Sequence, residues 1–321
     1  MELKNITLHK IIRENNENPI LDLSDHLLDI NDITNDFIEK LIKSYTSKSP
    51  TYGAFDEDII NNPFQTNVKK YFTDDEFLNF SQQAMETLKK TMGVTPQAKG
   101  GYVIFAHYIE KLQDFIVVAM LDNSARFVVN KKLDIEKLLG LDIDKVARAN
   151  RVNWQDWQEG RDSYLSFIKG TRGVSNYFAK NFIGCTDFTT SKQNAKNLEL
   201  AVSSYIRDNN FKNDRKISIK KNIKEYTNRQ IDNEEDIRID AISAYVNVDN
   251  PEDFTRYVHN NDHKVGNFRS TRPSDFKNFE IKTLKGDGYK LEYELVSDNI
   301  DFDKGRKIII IKNVPSYIFE D

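Results

Sequence analysis

A chain of 321 residues, 39% hydrophobic and 11% aromatic, can bury one large core or two ordinary ones, so a disordered or disulfide-stapled chain is excluded. The formal charge of −4 rules out a histone-like coat that is basic all over, and no apolar run approaches the ~20 residues that cross a bilayer. A lone Cys185 cannot form an internal disulfide, and MELKNITLHKIIREN lacks the apolar core of a signal peptide, as expected of a protein kept in a reducing cytoplasm.

In chain order, Leu3, Ile6, Leu8 and Ile11 alternate as a strand or strand-like arm, and ILDLSDHLLDI reads as a second strand with a turn. Ile33, Phe37, Ile38, Leu41, Ile42 and Tyr45 recur near the 3.6-residue period and predict an amphipathic helix. TYGAFDE reads as a turn. DDEFLNFSQQAMETLKKTM predicts a second helix, with Thr73 as its cap and Glu76 three residues on. Its buried stripe is Phe77, Phe80, Ala84, Met85 and Leu88.

Gly100-Gly101 breaks that pattern. Tyr102 to Ile109 and Phe115 to Leu121 are rich in β-branched and aromatic residues around a short polar turn, which predicts a β-hairpin. The continuous apolar run Phe115 to Leu121 predicts a strand covered on both faces. Phe127-Val128-Val129 adds a candidate third strand, and KVARANRVNW another. Helices follow: VSNYFAKNFIG capped by Thr171 or Ser175 and stopped by Gly184, then SKQNAKNLELAVSSYIRDN, ISIKKNIKEYTNRQ, Ile231 to Val248, and PEDFTRYVHNN. Tyr289 to Val296 and RKIIIIKNVP read as an antiparallel pair joined by SDNIDFDKG. The fold class is α+β: a β-rich amino-terminal domain over 1–160 with an antiparallel meander and two amphipathic helices, then 161–321 as a helical basic segment with a small α+β end.

Charge is unevenly spread. Residues 161–229 carry a balance of +8 while each flank carries −6. A local excess of this kind attracts a polyanion even when the whole molecule is acidic; the plain alternative is a solvated helical face. Lys169 and Arg172 stand around Gly170 and Gly173, where a turn at a helix start brings amides toward a phosphate. Lys180 lies in the helix that follows. Lys192 and Lys196 are spaced i, i+4, and Lys216, Lys220 and Lys224 extend that spacing over two turns, with Lys221 beside them. Such rows suit phosphate contacts, which position a duplex without reading its bases.

Catalytic signatures are sparse. The sequence has no phosphate-binding GxxxxGK[ST], no GxGxxG and no GxSxG. His259 and His263 have two-ligand metal spacing but no third ligand nearby, so a surface pair is the reading; His107 falls in an apolar strand and Cys185 in an apolar context, as core residues do. Asp22, Asp25 and Asp29, and likewise Asp301 and Asp303, crowd together as nuclease carboxylates do, but without a defensible strand–turn frame.

Taken together, LHKII, YGAF, FLNFSQQAMETLKK, GGYVIFAHYIEKLQDFIVVAMLDN, NKKLDI, YLSFIKG and FRSTR resemble, in order and over nearly the whole length, the 37-kDa nucleoid-associated bacterial protein family of the NdpA type. The resemblance is closest over 100–134 and loosest over 207–265. It implies a cytoplasmic, nucleoid-located protein that binds double- or single-stranded DNA, with no enzymatic activity and no cofactor. It supplies no base-reading residues. The expected function is therefore non-catalytic DNA binding through phosphates, with a two-fold dimer permitted. The alternatives are a protein–protein scaffold brought to the nucleoid by a DNA-handling partner and, more remotely, a metal-dependent nuclease.

Overall fold

The computed structural model describes residues 1–14, 17–48, 50–129, 131–143, 146, 148–161, 163–168, 175–261, 263–294, 297, 299–303 and 305–319. The chain divides into two compact units, 1–194 with 264–271, and 195–263 with 272–321. Residues 161–194, which charge grouped with the basic middle, thus cluster with the amino-terminal strands.

The first unit is built on an eight-stranded antiparallel sheet. Its strands are β1 (Glu2–Ile12), β2 (Ile20–Asp22), β3 (Thr51–Phe55), β4 (Gly101–Glu110), β5 (Gln113–Leu121), β8 (Arg148–Asn153), β9 (Leu165–Phe167) and β10 (Cys185–Thr190), in the order β10-β3-β9-β8-β5-β4-β1-β2. A separate hairpin, β6 (Asn123–Val129) with β7 (Ile135–Leu141), leaves between β5 and β8. The predicted hairpin is the centre of the sheet, Tyr102 facing Leu121 and Ile109 facing Asp114. Strand side chains alternate, so an apolar run feeds two cores. Ile116, Val118 and Met120 enter one cluster, and Phe115, Val117, Ala119 and Leu121 the other. The first cluster is closed by helices α2 (Phe64–Asp74) and α3 (Phe77–Gly93), the second by α1 (Asp32–Thr46). The KVARANRVNW segment also behaves as expected: β8 pairs with β5.

Helix α1 starts at Asn31, whose carboxamide accepts from the Ile33 and Thr34 amides while Thr34 Oγ1 accepts from the Asn31 amide. Ile38, Leu41, Ile42 and Tyr45 are buried; Ile33, expected in that stripe, is exposed in the first turn. The expected cap at Thr73 is not one. Thr73 closes α2, its hydroxyl donating to the Lys69 carbonyl, and Asp75 at φ 56° breaks the chain before α3 begins.

TYGAF is a strand, not a turn. A Cβ on Gly53 would stand 2.4 Å from Cys185 Sγ and 2.6 Å from the Thr186 carbonyl oxygen, so this glycine serves the close approach of β10. Cys185 and His107 are core residues as read: Cys185 is buried, and His107 bridges Tyr71 at 2.6 Å and Asp114 at 2.8 Å. The VSNYFAKNFIG helix is one wide π turn, Tyr177–Phe182, ended by Gly184 at φ +77°; of the two expected caps, Thr171 lies outside the described residues, and the cap position is held by Asn176 rather than Ser175, with no side-chain cap hydrogen bond.

The second unit holds most of α5 (Ser191–Asp208), then α6 (Asn213–Asp232), α7 (Ile239–Val246), α8 (Asp253–Asn260) and a 3-10 turn, Pro273–Phe279. The helix expected over Ile231 to Val248 is shorter, because Glu234 at φ 53° separates α6 from α7. The two carboxy-terminal strands expected to pair do not pair with each other. β12 (Tyr289–Glu294) pairs with β11 (Ile281–Gly286) across Asp287-Gly288, and β14 (Ile308–Ile311) pairs with β13 (Ile300–Asp303) inside the segment read as a loop. A two-residue Asp-Gly turn closes a hairpin locally, before a more distant strand can compete.

Candidate nucleic-acid interface

Helix α5 opens on Thr190, whose hydroxyl accepts from the Gln193 amide at 3.1 Å. Its apolar residues Ala195, Leu198, Ala201, Val202 and Tyr205 are buried at helical spacing. That choice of inner face turns Lys192 and Lys196 outward. Both are exposed, one turn apart, with no carboxylate within ion-pair distance among the described residues.

Helix α6 distributes its lysines differently. Ile219, Ile223, Tyr226 and Thr227 are buried, and the row at 216, 220 and 224 runs along the flank of that inner face. Lys216 and Lys220 are half-buried. Burial lowers the Lys220 ammonium below the ordinary lysine value, Glu199 opposing and Lys282 reinforcing the shift. Lys224 is only 6% exposed; its ammonium donates to the Pro273 carbonyl at 3.0 Å and lies 3.5 Å from Glu280. It ties α6 to the 3-10 turn and is largely shielded from solvent. Lys221 is exposed and 3.9 Å from Glu225.

Loss of the Lys224 anchor has a defined expected outcome. Lys224→Met keeps the stem and removes the charge, and it should lower the unfolding free energy by about 1–3 kcal/mol, read as a shift of the urea midpoint. An unchanged midpoint would mean that the ammonium contributes nothing to the unit.

Lys180 is exposed on the π turn, 5.8 Å from the Phe188 ring centroid. Lys169 and Arg172 lie outside the described residues. Lys212 and Arg215, not singled out by spacing, are both exposed at the head of α6, the Arg215 guanidinium 4.4 Å over the Phe211 ring. The signal for them was present in FKNDRK, but i, i+4 counting passes over a pair that straddles a helix start.

Chemistry beyond charge is thin. Among the described residues no group of three or more His, Cys, Asp or Glu is placed to hold a metal ion. Asp25 pairs with His26 at 2.8 Å, and Asp301 and Asp303 lie 3.7 Å from Lys312 and Arg306. His263 stacks on Tyr257. No described helix is long and apolar enough to cross a membrane.

Comparison with known proteins adds an independent line. The family described as nucleoid-associated protein YejK matches residues 7–318. A nucleoid-associated protein of Pseudomonas aeruginosa is 27% identical over 326 residues, covering 99% of this chain and 96% of its own. One from Pseudomonas entomophila is 26% identical over 329 residues, covering 100% and 98%, and one from Metapseudomonas resinovorans is 27% identical over 328 residues, covering 99% and 98%. With a match that runs almost from end to end, this chain belongs to the family of nucleoid-associated proteins described as YejK.

Proposed function

We propose that this protein is a non-catalytic, nucleoid-associated DNA-binding protein of the bacterial cytoplasm that holds the phosphate backbone with little regard for sequence. The observation that carries this reading is the outward pair Lys192 and Lys196, solvated and without acid partners among the described residues. Exposed ammonium groups one helical turn apart near a helix start suit successive phosphates, and release of counterions supplies the affinity. The partial positive charge of the α5 amino terminus adds to that of Lys192.

Lys180 of the first unit and Lys216 and Lys221 of the second are further candidate phosphate contacts, together with Lys169 and Arg172 as read from the sequence. Lys220 contributes less because it is shielded, and Lys224 has its structural task. A two-fold dimer would double these contacts. None of these groups is arranged like the Asn, Gln and Arg forks that read base edges, so little sequence preference is expected.

The test is fluorescence anisotropy on purified protein with labelled duplexes of unrelated sequence across a salt series. Affinity should fall linearly on a log–log scale. The double variant Lys192→Gln/Lys196→Gln should bind every duplex roughly tenfold more weakly, with a salt slope shallower by about two. Absence of parent binding at low salt would assign the nucleoid association to a protein partner instead.

A further inference from the structure

The first unit carries a second cationic feature that lies wholly outside the basic middle. Where β1 and β4 run out, their ends and the Pro96–Gly101 loop enclose a cleft of about 860 Å3. Arg13 builds its wall: the guanidinium donates to the Met92 and Thr95 carbonyls at 2.6 Å and to the Ala98 carbonyl at 3.3 Å, fixing the end of α3. Gly100 makes the fit possible, since a Cβ there would stand 2.4 Å from the Ile11 carbonyl oxygen.

Two lysines and a phenol ring line that frame. Lys10 and Tyr102 are cross-strand neighbours, both half-buried, with the ammonium 5.5 Å from the ring centroid. Lys99 is exposed on the loop. Of the acids lining the cleft, Asp122 accepts from Arg148 at 3.1 Å and Glu14 is exposed, against Lys10, Arg13 and Lys99. The balance is cationic beside an aromatic face.

Resting on the DNA-binding reading, we propose that this cleft is a single-strand site, in which an unpaired nucleobase displaces the Lys10 ammonium from the Tyr102 ring and stacks there, while the flanking phosphates take up Lys10 and Lys99. A volume of this order accommodates a few nucleotides. A duplex has no unstacked base to offer a ring, whereas a single strand does, and aromatic stacking flanked by lysines binds it without sequence preference. This cleft thus holds opened strands, and the α5 lysines hold the backbone of either form.

The experiment measures anisotropy of a labelled oligothymidylate and of a labelled duplex with parent, Tyr102→Ala, Tyr102→Phe and Lys99→Gln. Tyr102→Ala should weaken oligothymidylate binding about tenfold, Tyr102→Phe should bind like the parent, and Lys99→Gln should lower the single-strand salt slope by about 0.7. Duplex binding should be unchanged in all three. Lys99 is an exposed loop residue, so its result stands even if Tyr102→Ala fails to fold. Parent-like oligothymidylate binding by Tyr102→Ala and Lys99→Gln, with duplex binding intact, overturns the cleft and leaves the proposed function standing. Equal losses on oligothymidylate and duplex overturn the single-strand assignment. A parent that binds neither probe rejects the proposed function and the cleft together.

Discussion

Phe105→Ala is expected to lower the unfolding free energy by about 3–5 kcal/mol, the range for deleting a fully buried aromatic ring. Phe105 sits mid-way along β4 with no solvent exposure. Its ring stands edge-on to Phe80 of α3 at 5.8 Å and to His9 of β1 at 5.7 Å, so one truncation loosens the sheet from its covering helix and from its neighbouring strand. A protein stable by about 5–15 kcal/mol loses a large share of its margin. Urea unfolding should show an earlier midpoint at nearly unchanged slope. The control is Ile60→Ala, at a side chain 87% exposed, which should stay within about 0.5 kcal/mol of the parent. A loss below about 1 kcal/mol for Phe105→Ala would mean that α3 does not pack on this face of the sheet.

Phe105 also marks where the sequence was easiest to read. The apolar runs of β4 and β5 announce strands covered on both faces, and two separate clusters take their alternate residues. Legibility fails where the deciding partner is far along the chain. Nothing local in TYGAF says strand; Gly53 is there because β10, 130 residues later, passes at backbone distance. The return of 264–271 to the first unit buries Val265 and Phe268 and includes hydrogen bonds between residues likewise far apart in the chain. The Arg269 amide donates to Tyr52 Oη at 2.5 Å, and Ser191 Oγ donates to the Arg269 carbonyl at 2.7 Å. No periodicity encodes such bonds.

The candidate interface divides along the same line. On α5 the apolar stripe is clean, so the sequence places Lys192 and Lys196 on the opposite face and the helix presents them there. On α6 the apolar residues are scattered among lysines, and spacing alone does not choose the inner face. Packing against the 3-10 turn makes that choice and draws Lys224 inward. Charge counts therefore locate a cationic region, whereas burial decides which of its ammonium groups stay in water to meet phosphate.

Acid should destabilise the first unit through His9, again by an amount comparable to a core truncation. His9 is 1% exposed, and burial lowers its pKa to about 4 from an ordinary 6.5. The geometry agrees: Nδ1 accepts from the Ser24 amide at 3.1 Å, so it carries no proton, and Nε2 donates to Ser81 Oγ at 2.9 Å. Between pH 6.5 and about 4 the unfolded chain binds a proton on this ring and the native protein does not. Stability contributed by the neutral ring is complete above pH 6.5 and falls at about 1.4 kcal/mol per pH unit below it, the loss reaching roughly 3 kcal/mol near pH 4. His107 adds in the same direction, its pKa lowered by burial against the opposing pull of Asp114. Carboxylates titrate in the lower part of this window, so the measurement is a difference: urea midpoints from pH 7 to pH 4 for parent and His9→Gln. Gln can accept and donate in place of the ring but does not titrate. The variant should therefore start less stable at pH 7 and lose less on acidification, with a pH slope smaller by one proton. Parallel slopes for the two proteins would show that His9 takes up its proton without opening the native contacts between β1 and α3.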